Sequence, residues 1–192
     1  MKKYFYNSFV YSDKIAVFDC DNKRLNDFFH NEAATLEEYG LGNTTLFLDD
    51  NKEKIQGFYT LSLKNLDIDY LKGYQNFKSF MGSRFGNELI QRFNTKSFPV
   101  LEIMCFGVAK EFQRQYVGAE MLGAIYQDVL DFRFHYTLPV NSIYIDALYE
   151  ATEFYKDLGF EFVALSDKEN NSLNFYPMMI NLTKINDIIY NN

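Results

Sequence analysis

In 192 residues the chain has no tryptophan, two cysteines and two histidines. Cys20 and Cys105 are too few for a disulfide framework. Cys105 falls in an apolar run, where a buried reduced thiol is the ordinary expectation. The two His and two Cys lie far apart, so no metal-ligand spacing is present. His30 and His135 read as surface or capping residues. There is no Ser-His-Asp signature and no Gly-Lys-Ser/Thr phosphate loop. No apolar run approaches the ~20 residues of a membrane helix. Met1-Lys2-Lys3 leads into mixed aromatic and polar residues, not into a signal segment. Repeats and low-complexity linkers are also lacking. These absences point to a soluble protein in a reducing, cytoplasmic setting, with no membrane partner.

What is present is a core supply. Hydrophobic residues make up 47% of the chain and aromatics 18%, as twenty Phe and fifteen Tyr. A core built from Phe and Tyr is expected, in one domain spanning 1–192 with a helical insertion at about 66–97. The net charge of −7 weighs against a broad phosphate-backbone footprint.

Along the chain, Tyr4–Val10 and Lys14–Asp19 read as a short strand or turn followed by a strand. Asp21 or Asn22 can cap a helix running through Glu38, with Leu25, Phe28, Phe29, Ala33 and Leu36 on one face. Gly40-Leu41-Gly42-Asn43 ends it. Thr44–Leu48 and Lys54–Leu63 read as a hairpin turning at Asp49-Asp50-Asn51-Lys52. Apolar periodicity at Phe77, Phe80, Met81, Phe85, Leu89, Ile90 and Phe93 suggests helices in the insertion, as a substrate-facing lid or a packed connection.

The organising stretch is Phe98 to Leu122. Val100 to Ala109 is almost wholly apolar and reads as a buried central strand. A polar turn follows at Gln113-Arg114-Gln115. Val117, Met121, Ala124, Ile125 and Leu130 then carry helical spacing, to about Phe134. Gly118 and Ala119 are small residues in the first turn, where helix amides lack internal partners and a phosphate can approach. Beyond lie a strand Asn141–Leu148, a helix Glu150–Leu158 ending at Gly159, a strand Phe160–Leu165, a turn Ser166–Ser172, a strand Asn174–Leu182 and a short C-terminal helix.

Gln113-Arg114-Gln115-Tyr116-Val117-Gly118 resembles the acetyl-CoA-binding loop of the GNAT acyltransferase superfamily, Gln/Arg-x-x-Gly-x-Gly/Ala. Tyr116 stands where the first glycine is expected. Downstream, Ala151-Thr152-Glu153-Phe154-Tyr155-Lys156-Asp157-Leu158-Gly159-Phe160 is similar to the superfamily's Ala-x-x-Phe-Tyr-x-x-x-Gly-Phe. The N-terminal half, Phe18-Asp19-Cys20 with Leu25-Asn26-Asp27-Phe28-Phe29 and Ile55-Gln56-Gly57-Phe58-Tyr59-Thr60-Leu61-Ser62, is nearest to the branch of toxins that acetylate aminoacyl-tRNA.

The resemblance implies a mixed α/β fold, a central twisted sheet flanked by helices. It implies acetyl transfer from acetyl-CoA to a primary amine by direct attack in a ternary complex, without a metal. Backbone donors from Gln113 to Ala119, aided by Arg114, would bind the pyrophosphate. Phe106, Gly107 and Val108 would lie along the donor, with a strand bulge leaving an N–H for the oxyanion. Phe154 would help bind the donor, and Tyr155 would protonate the departing thiolate.

Glu102 sits inside an apolar run, so it must be paired, exposed at a cleft, or raised in pKa. The histone-acetyltransferase branch has its base there: Glu102-Ile103-Met104-Cys105 keeps that branch's eleven-residue step to Gln113. The toxin branch has no obvious carboxylate base. The acceptor stays open between a small-molecule or peptide amine and aminoacyl-tRNA. A basic rim from Lys72, Lys78, Arg84, Arg92 and Lys96 would favour tRNA. A homodimer is compatible with the sequence. Tyr116 keeps a further alternative open, a non-catalytic acyl-CoA-binding module.

Overall fold

Local polar side chains set the first elements of the chain. The computed structural model describes residues 2–67, 96–137, 139–163 and 175–190. Strand β1 is Lys2–Phe5. The Asn7 carboxamide oxygen then accepts from the amides of Phe9 and Val10 and turns the chain. Ser12–Ala16 is a short helix, α1, where a strand was expected over Lys14–Asp19. In a strand Ile15 and Val17 would share a face, but Val17 is 80% exposed while Ile15 and Phe18 are buried. Local amide bonds from Lys14 and Ile15 to Tyr11 hold the helical turn instead.

The Asn22 side chain accepts from Leu25 N at 3.1 Å and caps α2, Lys23–Asn31. The single expected helix is interrupted at Glu32, whose φ of −113° departs from the helical value, and resumes as α3, Ala33–Glu38. Gly40 closes it at φ +65°. Its amide bonds Glu37 O and the Leu41 amide bonds Leu36 O, the two bonds of a Schellman cap.

The hairpin forms as β2, Asn43–Leu48, and β3, Ile55–Asp67, antiparallel with a register shift at Phe47/Leu48 that makes Gln56 the extra residue. Asp49 Oδ1 accepts from the Glu53 and Lys54 amides and shapes the turn. β3 runs to Asp67, so residues 66 and 67 are strand. The rest of the expected helical insertion falls almost wholly outside the described residues, as do Lys72, Lys78, Arg84 and Arg92.

The central strand β4 is Ser97–Val108, and a 3₁₀ turn follows at Lys110–Phe112. Helix α4 is Val117–Tyr136. Its buried stripe is Val117, Met121, Ile125 and Val129, with Leu122, Tyr126 and Leu130 beside it. β5 is Ser142–Ala147. A 3₁₀ turn at Tyr149–Ala151 leads into α5, Thr152–Asp157, a shorter helix than expected. Gly159 ends it at φ +99°. β6 is Glu161–Phe162, β7 is Tyr176–Asn181 and α6 is Leu182–Tyr190. The expected turn Ser166–Ser172 lies outside the described residues. The strands form one mixed seven-stranded sheet in the order β1-β2-β3-β4-β5-β7-β6, flanked by helices.

The chain divides into two compact units, Met1–Ser62 with Ile103–Ile125, and Leu63–Glu102 with Tyr126–Asn192. The first has the aromatic core that the composition implied. Phe29 stacks on Phe58 at 4.1 Å, and Phe18 meets both rings edge-on at 4.8 and 5.4 Å. Such pairs add about 0.5–1.5 kcal/mol each beyond burial. Leu46, Leu48, Ile55 and Ala109 belong to the same cluster. In the second unit Leu66, Val100, Tyr144, Val163 and Met179 form a core cluster.

Candidate functional site

In the first unit the candidate donor loop begins where two glycines let backbone approach side chains closely. A Cβ on Gly57 would meet Met121 Sδ at 2.5 Å and Gly107 O at 2.8 Å; one on Gly107 would meet the Phe58 ring at 2.7 Å. Gly107 is therefore glycine for close packing. These contacts seat the first turns of α4 on β3 and the end of β4. Phe106, Gly107 and Val108 all belong to that end.

The loop itself is built by its own side chains. Gln113 donates through Nε2 to Cys20 O and Val108 O, both at 3.0 Å. Gln115 donates to Glu111 O at 2.7 Å. Both glutamine side chains thus hold the turn's shape. The backbone is left-handed at Arg114, φ +58°, and at Tyr116, φ +65°. The second value explains why the motif expects glycine at that position. Tyr116 accepts the conformation with its ring 84% exposed. Left-handed Tyr116 followed by helical Val117 is a pairing that gathers backbone N–H groups into an anion-binding concavity. Val117, Gly118 and Ala119 open the 20-residue helix behind it. Arg114 is exposed, and Glu120 is an acidic residue in the same first turn.

Around the loop, Lys110 pairs with Asp21 at 3.0 Å and Lys54 with Glu111 at 2.8 Å. Both pairs are exposed and contribute little to stability. Asp19 accepts from the Asp21 amide and from Asn26, and these bonds, the first foremost, hold its carboxyl below the usual range. Burial pushes the Cys20 thiol up, away from nucleophilic use. Cys20 is the buried cysteine, while Cys105 is half-buried, a correction to the expectation of a buried Cys105; neither forms a disulfide. His30 Nε2 lies 3.0 Å from Phe18 O, and His135 is in the last turn of α4.

In the second unit Phe154 and Tyr155 lie on α5, their rings edge-on at 5.0 Å. Tyr155 is buried and also meets Phe160 at 5.4 Å. Beside it, Tyr126 donates to Leu158 O at 2.6 Å, and burial, with Tyr155 adding to it, pushes the Tyr126 phenol above its ordinary value. Tyr126 is thus fixed as a donor to the backbone.

Glu102 takes the paired option of the three that its apolar setting allowed. Lys64 Nζ donates to Glu102 Oε1 at 2.7 Å and lies 3.6 Å from Asp146 Oδ2. The same ammonium sits 4.3 Å from the centre of the Tyr144 ring. Tyr144 donates its hydroxyl to Asp146 Oδ1 at 2.6 Å. Lys64, Tyr144 and Asp146 were not singled out from the sequence. The available signal was a lysine on β3 and an aspartate on β5, but their convergence on Glu102 needs the strand order. Among the described residues no group of three or more His, Cys, Asp or Glu could hold a metal ion.

No family model and no curated protein matches this sequence. The fold is that of the GNAT acyl-CoA N-acyltransferases. Its likeness to solved structures is close in shape and low in sequence. A structure described only as a bacterial toxin superposes at TM-score 0.79 and 19% identity, covering 100% of this chain and 96% of that one. A tyrosine-to-phenylalanine variant of KacT gives 0.74 and 17%, covering 97% and 98%. AtaT in complex with acetyl-methionyl-tRNAfMet gives 0.72 and 15%, covering 98% of each chain.

Proposed function

We propose that this chain is a toxin-type N-acetyltransferase that uses acetyl-CoA to acetylate the α-amino group of aminoacyl-tRNA. One observation carries the choice of acceptor: nearly the whole chain superposes on AtaT, solved with acetyl-methionyl-tRNAfMet. That favours aminoacyl-tRNA over the broader class of small-molecule or peptide amines. No helix among the described residues is long and apolar enough to cross a membrane.

Acetyl-CoA would supply the acetyl group already activated as a thioester. The concavity at Tyr116–Val117 fits its pyrophosphate, because main-chain amides there offer donors without a side chain between. The amides of Val117, Gly118 and Ala119 bind and orient the diphosphate, with Arg114 adding charge from the loop. Gln113 and Gln115 hold the turn open. We assign Phe106, Gly107 and Val108, at the end of β4, to the donor's path, and Phe154 to donor binding from α5.

Tyr155 holds the proton that goes to the leaving sulfur. A phenol of ordinary pKa near 10 keeps that proton at neutral pH and donates as charge develops on a thiolate of pKa near 8.5. Glu102 is the carboxylate that receives a proton from the attacking amine.

The purified protein, given acetyl-CoA and a mixture of charged tRNAs, is expected to produce N-acetylaminoacyl-tRNA, read by mass spectrometry of the aminoacyl ester. Acetylation of small amines or peptides with charged tRNA untouched would return the acceptor to the broader class. Absence of CoA release with every acceptor would leave a non-catalytic acyl-CoA-binding module.

A further inference from the structure

The quartet of Lys64, Glu102, Asp146 and Tyr144 has a chemical meaning that an ordinary ion pair lacks. Two carboxylates and an aromatic face converge on one primary ammonium, at 2.7, 3.6 and 4.3 Å. That combination is a receptor for a primary ammonium: charge-assisted bonds set its position and the ring face favours a cation over a neutral group. Tyr144's hydroxyl is spent on Asp146 Oδ1, which fixes the carboxylate and turns the ring. The present occupant is on a flexible four-carbon stem and its side chain is 34% exposed, so it can leave for water. Glu102's side chain is 19% exposed, so its carboxylate is reachable from solvent while largely withdrawn from it. Among the described residues two carboxylates face one ammonium, and exchange of Lys64 for another ammonium conserves the charge.

We infer that Glu102, Asp146 and the Tyr144 ring receive the acceptor's primary ammonium, and that Lys64 is an internal occupant which the acceptor displaces. The inference deepens the proposed acetyltransfer and rests on that reading, since it names how the α-amino group is recognised. The acceptor arrives as an ammonium and must lose one proton before its lone pair can attack a thioester. Glu102, hydrogen-bonded to the displacing nitrogen, takes that proton; the nitrogen's second proton, lost after attack, replaces the one that Tyr155 gives to the sulfur, so each group handles a single proton. Lys64 then acts as a competitor that excludes weak or neutral ligands. An acceptor must bring enough binding from the rest of its structure to expel it.

The test uses methioninamide, a primary ammonium without tRNA, and N-acetylmethioninamide, its neutral counterpart, titrated calorimetrically without acetyl-CoA. Lys64→Met is expected to bind methioninamide about tenfold more tightly than wild type, because a fraction of the pocket held by the internal occupant is released. N-acetylmethioninamide is expected to bind neither protein. Adding Asp146→Asn to the Lys64→Met variant is expected to remove the gain. Equal affinity of the wild type and Lys64→Met for methioninamide, or binding of the neutral probe as tightly as the cation, overturns the inference. If Lys64→Met does not fold, the Lys64 Nζ resonance of wild type gives the same reading by NMR. Methioninamide should shift it and the neutral probe should not, and no shift overturns the inference. Ammonium binding that persists while acetyl transfer is absent sinks the enzymatic reading alone; transfer without ammonium selectivity sinks only the pocket.

Discussion

The two units use their polar side chains differently. In the first unit's loop and cap, amide side chains close on backbone, Asn22 on Leu25 N, Gln113 on Cys20 O and Val108 O, Gln115 on Glu111 O, while the side-chain ion pairs around them are exposed. In the second unit's cluster, side chains close on one another: Lys64 on Glu102, Tyr144 on Asp146. A site made of backbone is shaped by turn geometry and takes an anion. A site made of side chains is shaped by strand neighbours and is tuned for charge and proton traffic. Substitutions should therefore act through conformation and packing in the first unit and through chemistry in the second.

The largest effect is expected at the chemical end of this contrast. Tyr155→Phe removes a buried hydroxyl and keeps the ring contacts with Phe154 and Phe160. Turnover should fall by about 10²-fold, the span of one lost general acid, with acetyl-CoA affinity unchanged. Steady-state kinetics beside a binding titration checks it, and unchanged turnover removes Tyr155 from the mechanism.

A packing substitution comes next. Gly57→Ala places a methyl 2.5 Å from Met121 Sδ and 2.8 Å from Gly107 O. The sulfur can move aside but the carbonyl is backbone, so unfolding free energy should drop by about 1–3 kcal/mol in a denaturant titration. A neutral result would show that α4 does not need so close a seat.

The smallest effect sharpens the comparison at the loop. Tyr116→Gly relieves left-handed strain of about 1–2 kcal/mol. It gives back about 0.4–1 kcal/mol through a looser unfolded chain. With the ring 84% exposed, little packing is lost. A net gain of about 0–1.6 kcal/mol is expected, and a loss of stability would mean that the ring carries contacts beyond its exposure.

The elements legible from sequence were those whose signal is local. The Asn22 cap, the Gly40 and Gly159 stops, the Asp49 turn and the α4 stripe each depend on residues within a few positions of one another. α1 was misread because Ile15 and Val17 mimic strand alternation, and only the tertiary burial of Ile15 without Val17 distinguishes a turn of helix. The candidate loop was readable down to Tyr116, whose left-handed backbone accounts for the glycine that the motif expects. Glu102 stood out as an acid in an apolar run, but its partner did not.

By itself the sequence determined the Asn22 cap, the glycine stops and the strand-loop-helix of Phe98 to Leu122, because periodicity and turn chemistry act over short spans of chain. Tertiary structure alone decided what Glu102 touches. Its lysine lies 38 residues away, and Tyr144 and Asp146 come from a strand beyond the whole of α4. Only sheet pairing converts such separations into 2.7 and 3.6 Å, since adjacency between strands is set by where the folded chain returns and not by spacing along it.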